Sequence, residues 1–166
     1  MEKIISSSSQ KDTSSIHFET RKGTPIRNAQ SLKISRFQQS QFSEYSRYDV
    51  LAVRTQPTGY YNCHGMTFGS RRVEIISSKE IDKILTEDDY EEIDPKKENI
   101  LPGDVIMYFS EGDFEHSGIV LNVPSKNDYI KIPVVCSKWG CWSEVIHYAN
   151  NCPYDFSQTK YYRIKK

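Results

Sequence analysis

The sequence predicts an α+β fold in which helical segments come first and a five-stranded antiparallel sheet follows. Its first half is rich in segments of helical character, whereas five β-branched or aromatic runs fill the region after residue 100. Gly, Pro, Asn and Asp separate these runs, as is typical of antiparallel strands. Helices and strands that are segregated along a chain indicate an α+β fold rather than an alternating α/β fold.

The chain of 166 residues suits one domain with a tail. Six of its first fifteen residues are Ser, and the N-terminal segment has no apolar pattern. We therefore predict a flexible arm over residues 1–20, which is a candidate contact for a protein partner, and one domain over residues 21–166.

The charge distribution excludes some partners. The formal net charge is zero, so the chain as a whole has no attraction to nucleic acid or to an anionic membrane. Residues 74–115, however, contain fourteen Asp and Glu against four Lys and Arg. This segment is interpreted either as a solvated acidic face or as a field that favours cationic substrates.

The N-terminus contains no apolar stretch typical of a secretory signal. No run approaches the roughly 18 apolar residues that span a bilayer. We therefore expect a cytoplasmic protein, or one exported without a classical signal peptide. In that setting, the four Cys residues are expected to be free, metal-bound or catalytic rather than paired in disulfides.

The elements follow in order along the chain. Residues 48–54 have strand character, and a loop marked by Pro57 and Gly59 comes next. Asn62 is a predicted N-cap for a helix that begins at Cys63. That helix contains two glycines, so we expect packing rather than propensity to hold it.

A second helix is predicted from the sequence SSKEIDKILTEDDYEEI, residues 77–93. Ser77 or Ser78 is its predicted cap, and Ile81, Ile84 and Leu85 fall on one face. The five predicted strands follow: VIMYF, HSGIVLNV, YIKIPVVCS, SEVIHYA and KYYRIKK.

Cys63 is the candidate nucleophile. A thiol attacks carbonyl groups only as the thiolate, and the N-terminus of a helix lowers the pKa of a thiol placed there. The backbone N–H of Cys63 also faces the position of a developing oxyanion. A lone Cys is more often a buried structural residue, so this interpretation needs a base.

His116 is the candidate base, because it opens a predicted strand directly after a turn that contains Gly. A His at that position can face a helix N-terminus packed across the edge of the sheet. It would take the thiol proton and later protonate the leaving amine. His64 follows Cys63 directly and points about 100° away on a helix, so it is not expected to act as the base.

Three stretches together resemble a known pattern: NCHGMTFG, LPGDVIMYF and EHSGIVLNV. They resemble the papain-like superfamily of NlpC-type and CHAP-type cysteine peptidases and amidases, over residues 48–139. The resemblance implies a papain-like fold, with Cys63 opening a helix packed on the sheet and His116 beginning a strand. The usual NlpC sequence at the nucleophile is Asp-Cys-Ser, whereas this chain has Asn62-Cys63-His64.

A polar third residue should orient the imidazole from the next strand. By position, Ser137 resembles the orienting residue of CHAP-type enzymes, and His147 is the alternative. A backbone carbonyl or a water molecule is also possible in this role. Gln56, Tyr61 and Asn62 are candidates for a second oxyanion donor beside the Cys63 backbone. Trp139 and Trp142 either wall a substrate groove or pack in the core.

A rival interpretation concerns Cys136, Cys141, His147 and Cys152. Four soft ligands within seventeen residues suit a structural zinc ion, although their spacing is looser than in the usual knuckles. A non-catalytic binding module on the same fold is the other alternative.

The residues therefore predict a cysteine hydrolase that cleaves an amide or peptide bond by acyl transfer. We expect it to need no cofactor and no metal. Its expected substrate is a peptide, a protein or a peptidoglycan fragment.

Overall fold

The structure is a computed structural model that describes residues 13–164. Its first half contains four short helices and three two-residue strands: β1 Thr13–Ser14, β2 Gln30–Ser31, α1 Arg36–Ser40, α2 Phe42–Tyr45, β3 Ala52–Val53, α3 Cys63–Phe68 and α4 Ser78–Glu87. Six strands follow: β4 Tyr90–Ile93, β5 Val105–Ser110, β6 Asp113–Asn122, β7 Val134–Lys138, β8 Glu144–Tyr148 and β9 Gln158–Ile164.

The central sheet confirms the α+β class but is larger than predicted. Among the described residues it has seven strands in the order β3-β8-β7-β6-β5-β9-β4, and each pair of neighbours is antiparallel. Strands β5 to β9 overlap the five regions predicted as strands and form the contiguous centre of the sheet. The expectation that His116 opens its strand is wrong, because β6 begins at Asp113 and His116 is its fourth residue. The prediction of five strands is wrong because β3 and β4 add one strand to each edge.

Each of the two predicted helices begins directly after a predicted N-cap residue, although the side chain of Ser77 makes no capping hydrogen bond. The side chain of Asn62 accepts a hydrogen bond from the backbone N–H of Gly65, which confirms it as the N-cap of α3. Ser77 is the N-cap residue of α4, and Ile81, Ile84 and Leu85 are buried on its inner face. The helix predicted over residues 77–93 ends at Glu87, however, and Tyr90 begins β4.

The two faces of the sheet are covered differently. One face contributes Val105, Met107 and Phe109 to a core cluster with the apolar side of α4, and α3 packs against β6 and β7. The opposite face carries Ile106, Tyr108, Val120, Val135 and Val145. This second face is covered by partly buried rings, of which Tyr45 ends the short helix α2 and Tyr48, Tyr154 and Phe156 lie in loops.

The N-terminal segment lies partly outside the described residues, which begin at residue 13. The described part pairs β1 with β2, and the backbone N–H of Ile26 donates to the carbonyl of Phe18. Residues 16 and 18 also pack against the cluster beneath α4. Within residues 13–164, the helices are too short or too polar to cross a membrane.

Candidate active site

Cys63 lies where the sheet divides between β6 and β7. The pairing of these strands reaches from Asn122 and Val134 to Gly118 and Ser137, and does not extend to residues 113–117 of β6. Helix α3 packs against β6 and β7 at this gap, and an interaction of the Ser117 backbone with the Cys63 sulfur lowers the pKa of the thiol. A residue of β6 beside the gap therefore reaches the thiol directly.

His64 fixes α3 in this gap. Its Nδ1 lies 2.9 Å from the hydroxyl oxygen of Ser117, and its ring also bonds the backbone carbonyl of Phe114. The hydroxyl of Thr67 lies 3.0 Å from that of Ser117 and donates to the carbonyl of Cys63. Burial lowers the pKa of His64 to about 4. His64 thus contacts β6 as a neutral imidazole and positions the helix through Ser117 and Phe114.

Cys63 opens onto a cleft with a volume of about 470 Å³. The cleft is lined by the start of α3, by the start of β6, by residues 75–78 and by two loop residues, Gly140 and Tyr154. Only 6% of Cys63 is exposed, so the sulfur lies at the base of the cleft. His116 is fully buried behind it.

The imidazole of His116 lies close enough to Cys63 to lower the pKa of its thiol. Burial alone would raise the pKa of Cys63, but the charge of His116, its hydrogen bonding and the N–H groups of Ser117 and His64 outweigh burial. The pKa of Cys63 therefore lies below its ordinary value. Because α3 has only six residues, these individual groups account for the effect better than a helix dipole does.

His116 itself titrates below its ordinary range. Burial lowers its pKa, and the neighbouring Cys63 offsets this only in part. Within the described residues, neither ring nitrogen has a hydrogen bond of ordinary geometry, so the contact with Cys63 is loose. Catalytic hydrogen bonds are often long in a free enzyme and shorten when substrate binds.

The structure does not support either predicted orienting residue. The hydroxyl of Ser137 lies 2.7 Å from Nε2 of His147 and accepts a hydrogen bond from the indole N–H of Trp139. The other nitrogen of His147 lies 2.8 Å from the carbonyl of Tyr148. Ser137 is paired with Gly118, two residues away from His116, so its hydroxyl bonds its own neighbours instead.

The candidate oxyanion donors differ in whether they line the cleft and in whether their side chains are already hydrogen-bonded elsewhere. Asn62 lines the cleft, but its side chain bonds the backbone of Gly65 and Ile75. Tyr61 donates its hydroxyl to Glu144, which also forms an ion pair with Arg71. Gln56 is exposed and does not line the cleft. The backbone N–H of Cys63 lies in the first turn of α3, where a helix supplies no carbonyl for it.

Neither tryptophan forms part of the cleft wall. Trp139 is completely buried with its ring against those of Tyr45 and Tyr48. Trp142 packs against Tyr45 and Trp139. Of the two roles considered for them, core packing is the one that the structure shows.

The four candidate zinc ligands do not converge. Cys136 pairs with Ile146 and His147 pairs with Val135, so Cys136 and His147 face opposite sides of the sheet. The sulfur of Cys141 accepts a hydrogen bond from Gln38, and that of Cys152 donates to the carbonyl of Tyr154. Within residues 13–164, no group of three or more His, Cys, Asp or Glu side chains is arranged to hold a metal ion.

Two residues beside the site were not singled out from the sequence. Tyr154, in the loop before β9, stacks on His116. Lys138 is completely buried, and its ammonium donates to the carbonyls of Thr58 and Gly140 at 2.9 and 2.6 Å. Burial lowers the pKa of Lys138 to about 8. Lys138 thereby fixes the loop that carries Gly140 on the cleft wall.

We expect the protein to lose stability as the pH falls from 6.5 to 4, because buried imidazoles resist protonation, and outside the Cys63–His116 pair these are His64 and His147. Burial lowers the pKa of both His64 and His147 to about 4. The unfolded chain binds these protons first, so each histidine costs about 2 kcal/mol of stability by pH 4.5. Urea unfolding at pH 7 and 4.5 measures this, and His64→Asn and His147→Gln should each flatten the dependence. If the variants lose as much free energy of unfolding between pH 7 and 4.5 as the wild type does, these two histidines are not the source of the pH dependence.

Comparison of the chain with protein-family models, with curated proteins and with solved structures found no match.

Proposed function

We propose that the protein is a cysteine hydrolase in which Cys63 is the nucleophile and His116 is the general base. One observation carries this proposal: a thiol with a lowered pKa lies at the base of a cleft, beside a buried imidazole. A buried structural Cys in apolar surroundings would instead have a raised pKa, as Cys136 and Cys152 do because of burial.

The proposed reaction is acyl transfer. His116 takes the thiol proton, and the thiolate of Cys63 attacks a carbonyl carbon to form a tetrahedral oxyanion. Collapse of the oxyanion breaks the C–N bond, and His116 gives the proton to the leaving amine. Water then attacks the thioester while His116 accepts its proton, and release of the acid returns the thiol. The backbone N–H of Cys63 would stabilise the oxyanion.

The arrangement of elements supports a papain-like assignment. Helix α3 begins at the proposed nucleophile and packs on β6 and β7 of an antiparallel sheet. His116 lies in β6, directly before the residue whose N–H reaches Cys63. A helix that begins at the nucleophile and packs on the strand of the His is part of what the resemblance to NlpC-type and CHAP-type enzymes implies, although His116 is the fourth residue of β6 and not its first.

The charges around the cleft bear on the substrate class. Asp113 and Glu115 are exposed on β6 at its edge, and no Lys or Arg is among the described residues that line it. Such a site disfavours polyanions and suits neutral or cationic acyl groups. We propose an amide or peptide bond of a peptide, protein or peptidoglycan stem as the bond that is cleaved.

Selective alkylation tests the proposed nucleophile. Iodoacetamide at pH 6.5, followed by peptide mass spectrometry, should modify Cys63 at least about 10-fold faster than Cys141, which is more exposed but has a pKa raised by burial. Equal labelling of the four Cys residues would contradict an activated nucleophile.

Isotope incorporation tests hydrolysis itself. A pool of peptides incubated with the protein in H₂¹⁸O should gain ¹⁸O in newly formed carboxyl groups. Cys63→Ala, with the wild-type unfolding curve, is the matched control and should produce none. Incorporation that persists in Cys63→Ala would refute the mechanism. A reactive Cys63 without hydrolysis of any amide in the pool would favour a binding module.

A further inference from the structure

Within residues 13–164, no conventional hydrogen bond holds the plane of the buried His116 imidazole. His116 is fully buried, yet neither ring nitrogen has a conventional hydrogen bond within the described residues. Ser137 and His147, which could have held it, bond each other. A general base must nevertheless present one nitrogen to the thiol in a fixed direction.

Tyr154 supplies a different constraint. The rings of His116 and Tyr154 are stacked, with centroids 4.1 Å apart and planes inclined by 14°. The ring of Tyr108 lies 5.3 Å from the imidazole at an inclination of 46°. Stacking fixes the plane of the imidazole through its face, whereas a hydrogen-bonding partner would occupy one of its nitrogens.

Tyr154 is itself firmly placed. Its hydroxyl interacts with that of Tyr45 and with the backbone of Gly140, and both hydroxyl oxygens lie within 4 Å of the position that a Cβ on Gly140 would occupy. Tyr154 also forms part of the wall of the Cys63 cleft. The loop before β9 therefore brings one ring into contact with both the base and the cleft.

We propose that Tyr154 is a positioning residue for the Cys63–His116 pair. Its ring face holds the imidazole in plane and stabilises the imidazolium that forms when the thiol proton is transferred. An aromatic face attracts a cation stacked on it, most strongly where water is excluded. The ring thus takes the place of the polar third residue, and this inference rests on the proposed function.

The pH profile of Cys63 alkylation tests the inference with three variants. Tyr154→Leu removes the ring and should raise the midpoint of the profile by about one pH unit, since the imidazolium loses its cation–π partner. Tyr154→Phe keeps the ring without the hydroxyl and should reproduce the wild-type midpoint. Phe156→Leu removes a ring that contacts Tyr108 and is the matched control, with no expected shift.

The outcomes separate the inference from the proposed function. An activated Cys63 whose profile is unchanged in Tyr154→Leu would overturn the inference alone. A Tyr154→Phe variant that shifts as far as Tyr154→Leu would also overturn it, because an aromatic face at this position would then not be sufficient to stabilise the imidazolium. A wild-type Cys63 that reacts like an ordinary thiol would overturn the proposed function as well. If Tyr154→Leu does not fold, Tyr154→Met replaces it, because Met fills more of the volume without an aromatic face.

Discussion

Replacing His116 with Phe should slow alkylation of Cys63 at pH 6.5 by about 100-fold or more, the scale on which a positioned base acts. Cys63 is buried, and burial raises the pKa of its thiol unless an opposing charge is present. Phe retains a ring that can stack on Tyr154 and fill the same space, so the fold should survive. The loss should diminish at high pH, where hydroxide removes the proton without His116.

The matched control for this variant is His147→Gln. His147 is also a completely buried imidazole, but it bonds Ser137 on the neighbouring strand. Its replacement should leave the rate of Cys63 alkylation within about 3-fold of wild type, a small effect on the scale of general-base catalysis. If His147→Gln slows alkylation as much as His116→Phe does, the base has been assigned wrongly. Rates of Cys63 modification across pH 5–9 decide between the two.

Gly65→Ala should destabilise the protein by about 3 kcal/mol or more, although Ala is normally the better helix former. A Cβ at residue 65 would overlap the backbone carbonyl oxygen of Val73 and crowd the side chain of Tyr61. Backbone cannot move aside as a flexible side chain can. The first turn of α3 would be displaced from β6, and Cys63 would lose the N–H of Ser117.

Urea unfolding and alkylation of Cys63 together measure the effect of Gly65→Ala. Lys79→Ala is the control, since Lys79 is exposed in α4 and an Ala there meets no obstacle. A Gly65→Ala protein with wild-type stability and wild-type thiol reactivity would show that α3 is not fixed in this way. The small residue after Cys63 and His64 is thus required for close packing and not for flexibility.

The sequence predicted the centre of the fold because its signals are local. Asn62 caps α3 through a residue three positions ahead, and β5 to β9 are β-branched or aromatic runs. Strand β4 was assigned to a helix because its neighbours continue an acidic, helix-like pattern. Asp89 breaks that pattern with a φ of 60°, and β4 then pairs with β9 more than sixty residues later.

The candidate site was predictable only in part for the same reason. Cys63 and His116 lie in recognisable surroundings on α3 and β6. The surroundings of His116, however, depend on the register of β6 and β7, which places Ser137 opposite Gly118. Tyr154 lies in a loop with no pattern of its own, and only the tertiary structure brings its ring onto His116.

The point at which β6 and β7 stop pairing also indicates where a label or an inserted domain can be attached without disturbing the site. The two strands separate near Cys63, but they are joined at their opposite end by residues 123–133, which are largely exposed. The Cys63 thiol lies beside Ser117, and β6 continues for five more residues to Asn122, so the start of this connection is roughly 17 Å away along the strand. A fluorophore, an affinity handle or an inserted domain in this connection would lie far from the thiol. This loop is therefore the preferred attachment point for a reporter of substrate capture.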